Sequence, residues 1–389
     1  MNQATDLTIV TVAGPGDEAL LRKNIEHIAR NNPEGNYVVH VFDNGCFHGY
    51  PSVSIDSPLV VLHNGSPPDI SKPKACRGSY QHAAALNRFI NEQEVQTRFL
   101  LILDPDFFIL QKNWIKEVCK HMETFGLWFF GAPWHPKWFS KHRYFPCVHC
   151  LFIDTKYVKY RDLDFTPDLV ERGAKADKRN GLVLSASQGD SQQYDVLPVV
   201  PRKWLPVFLC IARDALKAVS HAYIESNQPI PLSLKVVLRL MQLVKKLKGK
   251  FRALLGFGAS MILNRKNIGC AKDTGYLVEM RFSEKKENIE TLVPSVYLAT
   301  DFGKNHYLNT SIGRRLEKIV PDRWSYIPKA RGYFTVQNFR QCGLPDVSEL
   351  NWEEFFWSDI PFGFHMRRYN KVQRDIAKED RLLHALLRL

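Results

Sequence analysis

Long uncharged apolar runs are missing from this chain of 389 residues. None approaches the roughly 20 residues that a bilayer-spanning helix needs, so no transmembrane segment is expected. The short apolar run near the start, in MNQATDLTIVTVAGPG, has no basic region before it, and neither a signal peptide nor an anchor is expected there. Cysteines number eight but are scattered, with a single close pair, Cys147 and Cys150, in CVHC. A structural zinc site needs a second such pair at a suitable distance, and none follows. The cysteines therefore read as buried free thiols, and reduced thiols point to the cytoplasm. Internal repeats and low-complexity tracts are absent too.

One further absence is local. Residues 226–272 contain no acid, while ten basic residues lie among them and supply most of the net charge of +13. Within this stretch Leu234, Val237, Leu238, Met241, Val244, Leu247, Phe251 and Leu254 recur at helical spacing, beside a face carrying Lys245, Lys246, Lys248 and Lys250. A basic amphipathic helix over 232–257 fits the plane of an anionic membrane, at about 1 kcal/mol per basic residue near the surface. The alternative is a helix packed on its own domain with a solvated basic face. Nucleic acid is not an expected partner, because aromatics are not interleaved at a stacking spacing and no recognition motif accompanies the run.

What is present is the pattern of an α/β domain. With 45% hydrophobic residues the chain can bury one large core or two ordinary ones. Residues 6–13, DLTIVTVA, read as a strand, followed by Gly14-Pro15-Gly16 and an amphipathic helix over 18–30. Residues 37–42, YVVHVF, read as a second strand ending in Asp43-Asn44-Gly45, and residues 60–63 as a third. A helix over 78–91, GSYQHAAALNRFIN, leads into RFLLILDPDFFIL over 98–110. This β-α-β-β-α-β order implies a mainly parallel sheet, whose chemistry sits at the carboxyl ends of its strands. There the last apolar run meets Asp104 and Asp106, two carboxylates straddling a proline. Such a pair is favourable chiefly when a cation such as Mg²⁺ or Mn²⁺ bridges it to a phosphate, although an Asp-Pro turn that merely ends a strand has the same residues.

Together, the small-residue turn after the first strand, the DNG after the second, the GSYQHAAALN helix and LILDPDFFIL resemble the family 2 glycosyltransferases of the GT-A fold. The resemblance covers residues 6–154. It implies a Rossmann-like, mainly parallel sheet, a loop Ala13, Gly14 and Pro15 around the nucleotide, and Asp43 on the nucleotide base. It also implies a DxD motif in which Asp104 lies near ribose and metal and Asp106 binds the Mn²⁺ or Mg²⁺ that holds the diphosphate. By the same resemblance, a carboxylate at the start of an acceptor-side helix is the general base, and Asp273 in KDTGYLVEMR occupies that place, although the family's usual ED pair is absent. A simple helix cap explains Asp273 equally, and Glu279 is the second candidate. A downstream histidine is expected to complete the metal site. His306, followed by Arg314 and Arg315 that suit a diphosphate, is favoured over His365.

Trp134, Trp138, Phe139 and Tyr144 each read individually as ordinary core packing, but as a group they suggest an aromatic wall for a sugar acceptor. The expected organisation is a nucleotide-sugar-binding half over 1–160, a polar variable insertion over 161–231, the basic helix over 232–257, and the acceptor side with the rest of the catalytic domain over 258–389. The expected activity is inverting transfer from a nucleotide sugar to a glycan or lipid-linked acceptor in bacterial surface-polysaccharide or lipopolysaccharide synthesis. The enzyme would be cytoplasmic or peripheral on the inner membrane face. The rivals are a sugar nucleotidyltransferase, whose first loop would be richer in Lys and Arg than Ala13-Gly14-Pro15-Gly16-Asp17, and a non-catalytic carbohydrate- or membrane-binding protein on the same fold.

Overall fold

A computed structural model of the chain describes residues 6–72, 77–135, 145–167, 273–282, 285–295, 335, 337–347, 350, 352–366 and 376–388. Within them the architecture is α/β on a mainly parallel central sheet. Strands β1 (Leu7–Ala13), β2 (Tyr37–Asp43), β3 (Val60–Asn64), β4 (Phe99–Leu103), β6 (Phe129–Pro133), β7 (Pro146–Asp154) and β8 (Ile289–Thr291) form seven strands in the order β3-β2-β1-β4-β7-β6-β8. The pairs β1/β2, β2/β3, β1/β4 and β6/β8 are parallel, and β7 runs antiparallel to both β4 and β6. A second, antiparallel sheet has the order β5-β11-β10-β9, from β5 (Phe107–Ile109), β9 (Val293–Pro294), β10 (Glu353–Trp357) and β11 (Ile360–His365).

The alternation of β1 and β4 explains why helices cover both faces. Leu7, Ile9, Leu101 and Leu103 share a core with Leu21, Ile25 and Ile28 of α1 (Glu18–Asn31) and Trp114 and Val118 of α3 (Trp114–Phe125). Val10, Val12, Leu100 and Ile102 point the other way, onto Ala83, Leu86 and Phe89 of α2 (Arg77–Glu92) and Val278 of α4 (Tyr276–Phe282). Successive strand side chains face opposite sides, so a continuous apolar run is what a sheet covered on both faces requires. A third core joins Phe108, Trp352, Phe356 and Phe364 to Leu383 and Leu386 of α5 (Ile376–Leu387).

The single strand expected over 98–110 is two strands, and they belong to different sheets. Pro105 has no N–H for the ladder, so β4 stops at Leu103, a turn closes with Phe107 N donating to Asp104 O at 3.1 Å, and β5 begins the second sheet. Leaving the ladder strands two carbonyls. Buried Asn24 of α1 satisfies both, its Nδ2 donating to Pro105 O at 3.1 Å and Phe107 O at 2.9 Å. The insertion beyond residue 167 and the basic segment 232–257 lie outside the described residues. Among the described residues no helix is long and apolar enough to cross a membrane.

Candidate active site

The carboxyl ends of β1, β2 and β4 lie at one edge of the central sheet. The ladder sets Ala13 opposite Asp43, and Val10 opposite Ile102, so the loops after Ala13, Asp43 and Leu103 emerge side by side. In the first of these loops Asp17 ties down the turn, its Oδ2 accepting from Gly14 N at 2.8 Å. Gly16 adopts a φ of 76°, a conformation that costs a glycine little. The Asp43 carboxylate is buried and held by the backbone: Oδ1 accepts from Gly45 N at 2.8 Å and Cys46 N at 3.3 Å, and Oδ2 from Val53 N at 2.9 Å. It thus shapes the loop after β2. A carboxylate offers about four acceptor sites, so capacity remains for another donor.

At the third loop, Asp104 and Asp106 meet His365. The ladder delivers the histidine: β11 pairs with β5 so that His365 stands opposite Phe107, and Met366 N donates to Asp106 O at 2.8 Å. His365 Nε2 lies 3.1 Å from Asp106 Oδ1, and one ligand atom from each of Asp104, Asp106 and His365 falls within 4.8 Å of the others. His82 of α2 approaches from the other side, its Nε2 3.6 Å from Asp104 Oδ1. The His365 ring is 2% exposed and stacks on His149 at a centroid distance of 4.5 Å. The backbone carbonyl of His149 accepts from Asp104 N at 3.1 Å, so one residue braces both the acid and the histidine.

Two carboxylates and an imidazole around one point suit a small divalent cation. Oxygen ligands favour Mg²⁺ and Mn²⁺, and the imidazole tilts the set towards Mn²⁺. Without a cation, two carboxylates one residue apart repel. Of the two histidines weighed for this position, His365 stands beside both acids, whereas His306 lies outside the described residues, as do Arg314, Trp138, Phe139 and Tyr144.

Asp273 is buried and precedes α4. Its Oδ1 accepts from Thr274 N at 2.8 Å, and its backbone carbonyl accepts from Tyr276 N at 2.9 Å. The Thr274 hydroxyl donates to Ser79 O of α2 at 3.2 Å, one helical turn before His82, which docks the Asp273 turn on the helix flanking the acids. A small, shallow cleft lies beside this turn, with Trp134, Cys147, Thr274 and Glu279 among its walls. Trp134 of the expected acceptor wall therefore faces the same cleft as the second base candidate. Cys147 and Cys150 are buried thiols, Cys147 Sγ lying 2.6 Å from His149 Nδ1, and burial pushes Cys150 well above the ordinary thiol range.

His82, His149 and Glu353 were not legible as site residues. His82 sits inside a helix whose sequence reads as ordinary amphipathic packing, and His149 inside a return strand. Glu353 had a signal: two consecutive acids in the aromatic run WEEFFW are out of place in a buried strand unless each has a partner.

No protein-family model matches the chain. No curated protein matches it either. Solved structures that resemble it include the galactosyltransferase LgtC in complex with donor and acceptor sugar analogues, at 16% identity over 40% of this chain and 60% of that one, with a TM-score of 0.29. They also include the mannosyltransferase PcManGT from Pyrobaculum calidifontis in complex with GDP-Man and Mn²⁺, at 12% identity over 68% of this chain and 76% of that one, with a TM-score of 0.29. A third is TarS 1–349 of S. aureus, at 10% identity over 78% of this chain and 91% of that one, again with a TM-score of 0.29. The chain thus spans 60% of the length of LgtC. At these TM-scores the likenesses decide nothing about this chain.

Proposed function

We propose that the chain is a metal-dependent glycosyltransferase of the GT-A fold, similar to family 2, that moves one sugar from a nucleotide-sugar donor to a hydroxyl of a glycan or lipid-linked acceptor. The observation that carries this reading is the convergence of Asp104, Asp106 and His365 at the carboxyl ends of parallel strands, where open α/β sheets bind their ligands. These three residues would hold Mn²⁺ or Mg²⁺, which when bound neutralises charge developing on the departing diphosphate. The Ala13–Gly14–Pro15 loop and Asp43 stand on the donor side. Asp43 keeps acceptor capacity for a base N–H, and Arg314 is assigned to the diphosphate.

Asp273 is assigned as general base. The acceptor hydroxyl oxygen attacks the anomeric carbon, its proton passes to the Asp273 carboxylate, and the bond to the diphosphate breaks with the electron pair leaving on the phosphate oxygen. Attack from the side opposite the leaving group inverts the anomeric configuration. The Thr274 amide fixes the orientation of the carboxylate, which is what a proton acceptor in a single-displacement step needs. The basic segment 232–257 is assigned to an anionic membrane surface, where lipid-linked acceptors of surface polysaccharide or lipopolysaccharide synthesis reside, with the enzyme on the cytoplasmic side.

Thermal unfolding in the presence of nucleoside diphosphates, with and without Mn²⁺, tests the reading. The expected result is a rise in the midpoint for at least one diphosphate that requires Mn²⁺. No shift with any diphosphate would overturn it.

A further inference from the structure

We infer that Glu353 is a positioning residue for the metal-binding imidazole: it holds His365 in the tautomer protonated at Nδ1, so that Nε2 is presented to Asp104 and Asp106. The inference rests on the metal-dependent reading of that site and adds a residue that the DxD pattern does not contain.

Glu353 and His365 stand directly opposite each other in the antiparallel ladder of β10 and β11. His365 Nδ1 lies 3.1 Å from Glu353 Oε2, while Nε2 on the far side of the ring lies 3.1 Å from Asp106 Oδ1. Side-chain exposure is 0% for Glu353 and 2% for His365, so the contact is shielded from water. A buried carboxylate is costly unless it is paired, and its acceptor oxygen determines which ring nitrogen carries hydrogen. Stacking on His149 at 4.5 Å and the Phe107 ring at 6.0 Å limit the ring's other freedoms.

The neighbouring acid shows what a merely structural carboxylate does in this strand. Glu354, also fully buried, accepts from Phe339 N at 3.0 Å and so supports the turn Phe339–Cys342. Consecutive strand residues point to opposite faces, so one acid of the pair serves the third core and the other the histidine. Histidines that bind metal usually donate their second N–H to a carboxylate, and removing that partner costs about 10- to 100-fold in metal affinity.

The test is a Mn²⁺ titration followed by electron paramagnetic resonance on the full chain, as parent, Glu353→Met and Glu353→Gln, with thermal midpoints alongside. Met matches the side chain in size without an acceptor, and Gln restores a carbonyl oxygen. The expected result is about 10- to 100-fold weaker Mn²⁺ binding in Glu353→Met, with part of the loss recovered in Glu353→Gln. Unchanged affinity in a folded Glu353→Met overturns the inference, whereas a parent that fails to bind Mn²⁺ overturns the metal reading itself before any variant is compared. Should Glu353→Met not fold, ¹⁵N spectra of the Mg²⁺-loaded parent decide: His365 protonated at Nδ1 supports the role, and His365 bare at Nδ1 overturns it.

Discussion

Asp104 follows the last residue of a strand in the seven-stranded sheet and Asp106 precedes the first residue of a strand in the four-stranded sheet, with only Pro105 between them. The carboxylates therefore do not belong to one rigid ladder. They are held by the turn between the two sheets and by Asn24 beneath it.

Asp106→Ala should abolish Mn²⁺-dependent nucleotide binding and sugar transfer with little loss of fold, because it removes one of two like charges from a partly exposed loop. Calorimetric Mn²⁺ titration, a transfer assay and a thermal midpoint measure the three effects. Retained transfer, or parent activity indifferent to a chelator, would sink the metal-dependent mechanism.

Asp273→Asn keeps an oxygen that can accept from the Thr274 amide but cannot take a proton. Donor binding and stability should survive while turnover falls by about 10²-fold or more. Comparing kcat with donor affinity separates the roles. Equal activity in the two proteins would reduce Asp273 to a turn residue and move attention to Glu279, which lines the adjacent cleft.

His27 yields a prediction about pH. Burial, and then the Arg30 guanidinium beside it, lower its pKa from 6.5 to about 4, against the pull of the Ile109 carbonyl. Arg30 donates to Nδ1 at 2.8 Å, so Nε2 carries the hydrogen that it donates to Ile109 O at 2.9 Å. The unfolded chain therefore takes up a proton near pH 6.5 that the folded protein refuses until about pH 4. The contribution of the neutral ring is intact above 6.5 and is lost as pH falls towards 4, by roughly 3 kcal/mol in all. Urea unfolding of the parent and His27→Gln between about pH 7 and about pH 4.5 should show the parent's advantage shrinking with acidity. A gap that does not change with pH refutes it.

Replacing Lys245, Lys246, Lys248 and Lys250 by Gln removes four charges from the basic segment, or roughly 4 kcal/mol of surface attraction at most. Sedimentation with vesicles containing anionic lipid should show a steep loss of binding, and high salt should reproduce it in the parent. Transfer to a short water-soluble acceptor should persist. A parent that ignores anionic vesicles at low salt would leave the segment as an ordinary packed helix.

Local pattern carried the first half of the chain. The apolar residues of LTIVTVA and the helical spacing of Leu21, Ile25 and Ile28 marked β1 and α1 to within a residue of their observed ends, and the continuous run FLLIL marked where β4 begins. The acids at 104 and 106 were visible because an apolar run stopped at them, yet the change of sheet at Pro105 was not. Both sides of the proline are equally apolar, and only a distant partner strand distinguishes them. That partner, β11, reaches β5 across more than 250 residues, and His365 and Glu353 meet only through its ladder. Cross-strand register is a long-range property that no window of neighbouring residues contains.

The order in which the site's parts leave the ribosome follows from the same separation. His365 is 259 residues downstream of Asp106, and at about 5–20 residues per second it emerges about 13–50 s later. During that interval the two carboxylates can reach their turn on the central sheet without a histidine to join them. The nascent polypeptide is thus barred from assembling the full Asp-Asp-His cluster until β11 has been made, and any catalysis that depends on the cluster waits for translation to pass that strand.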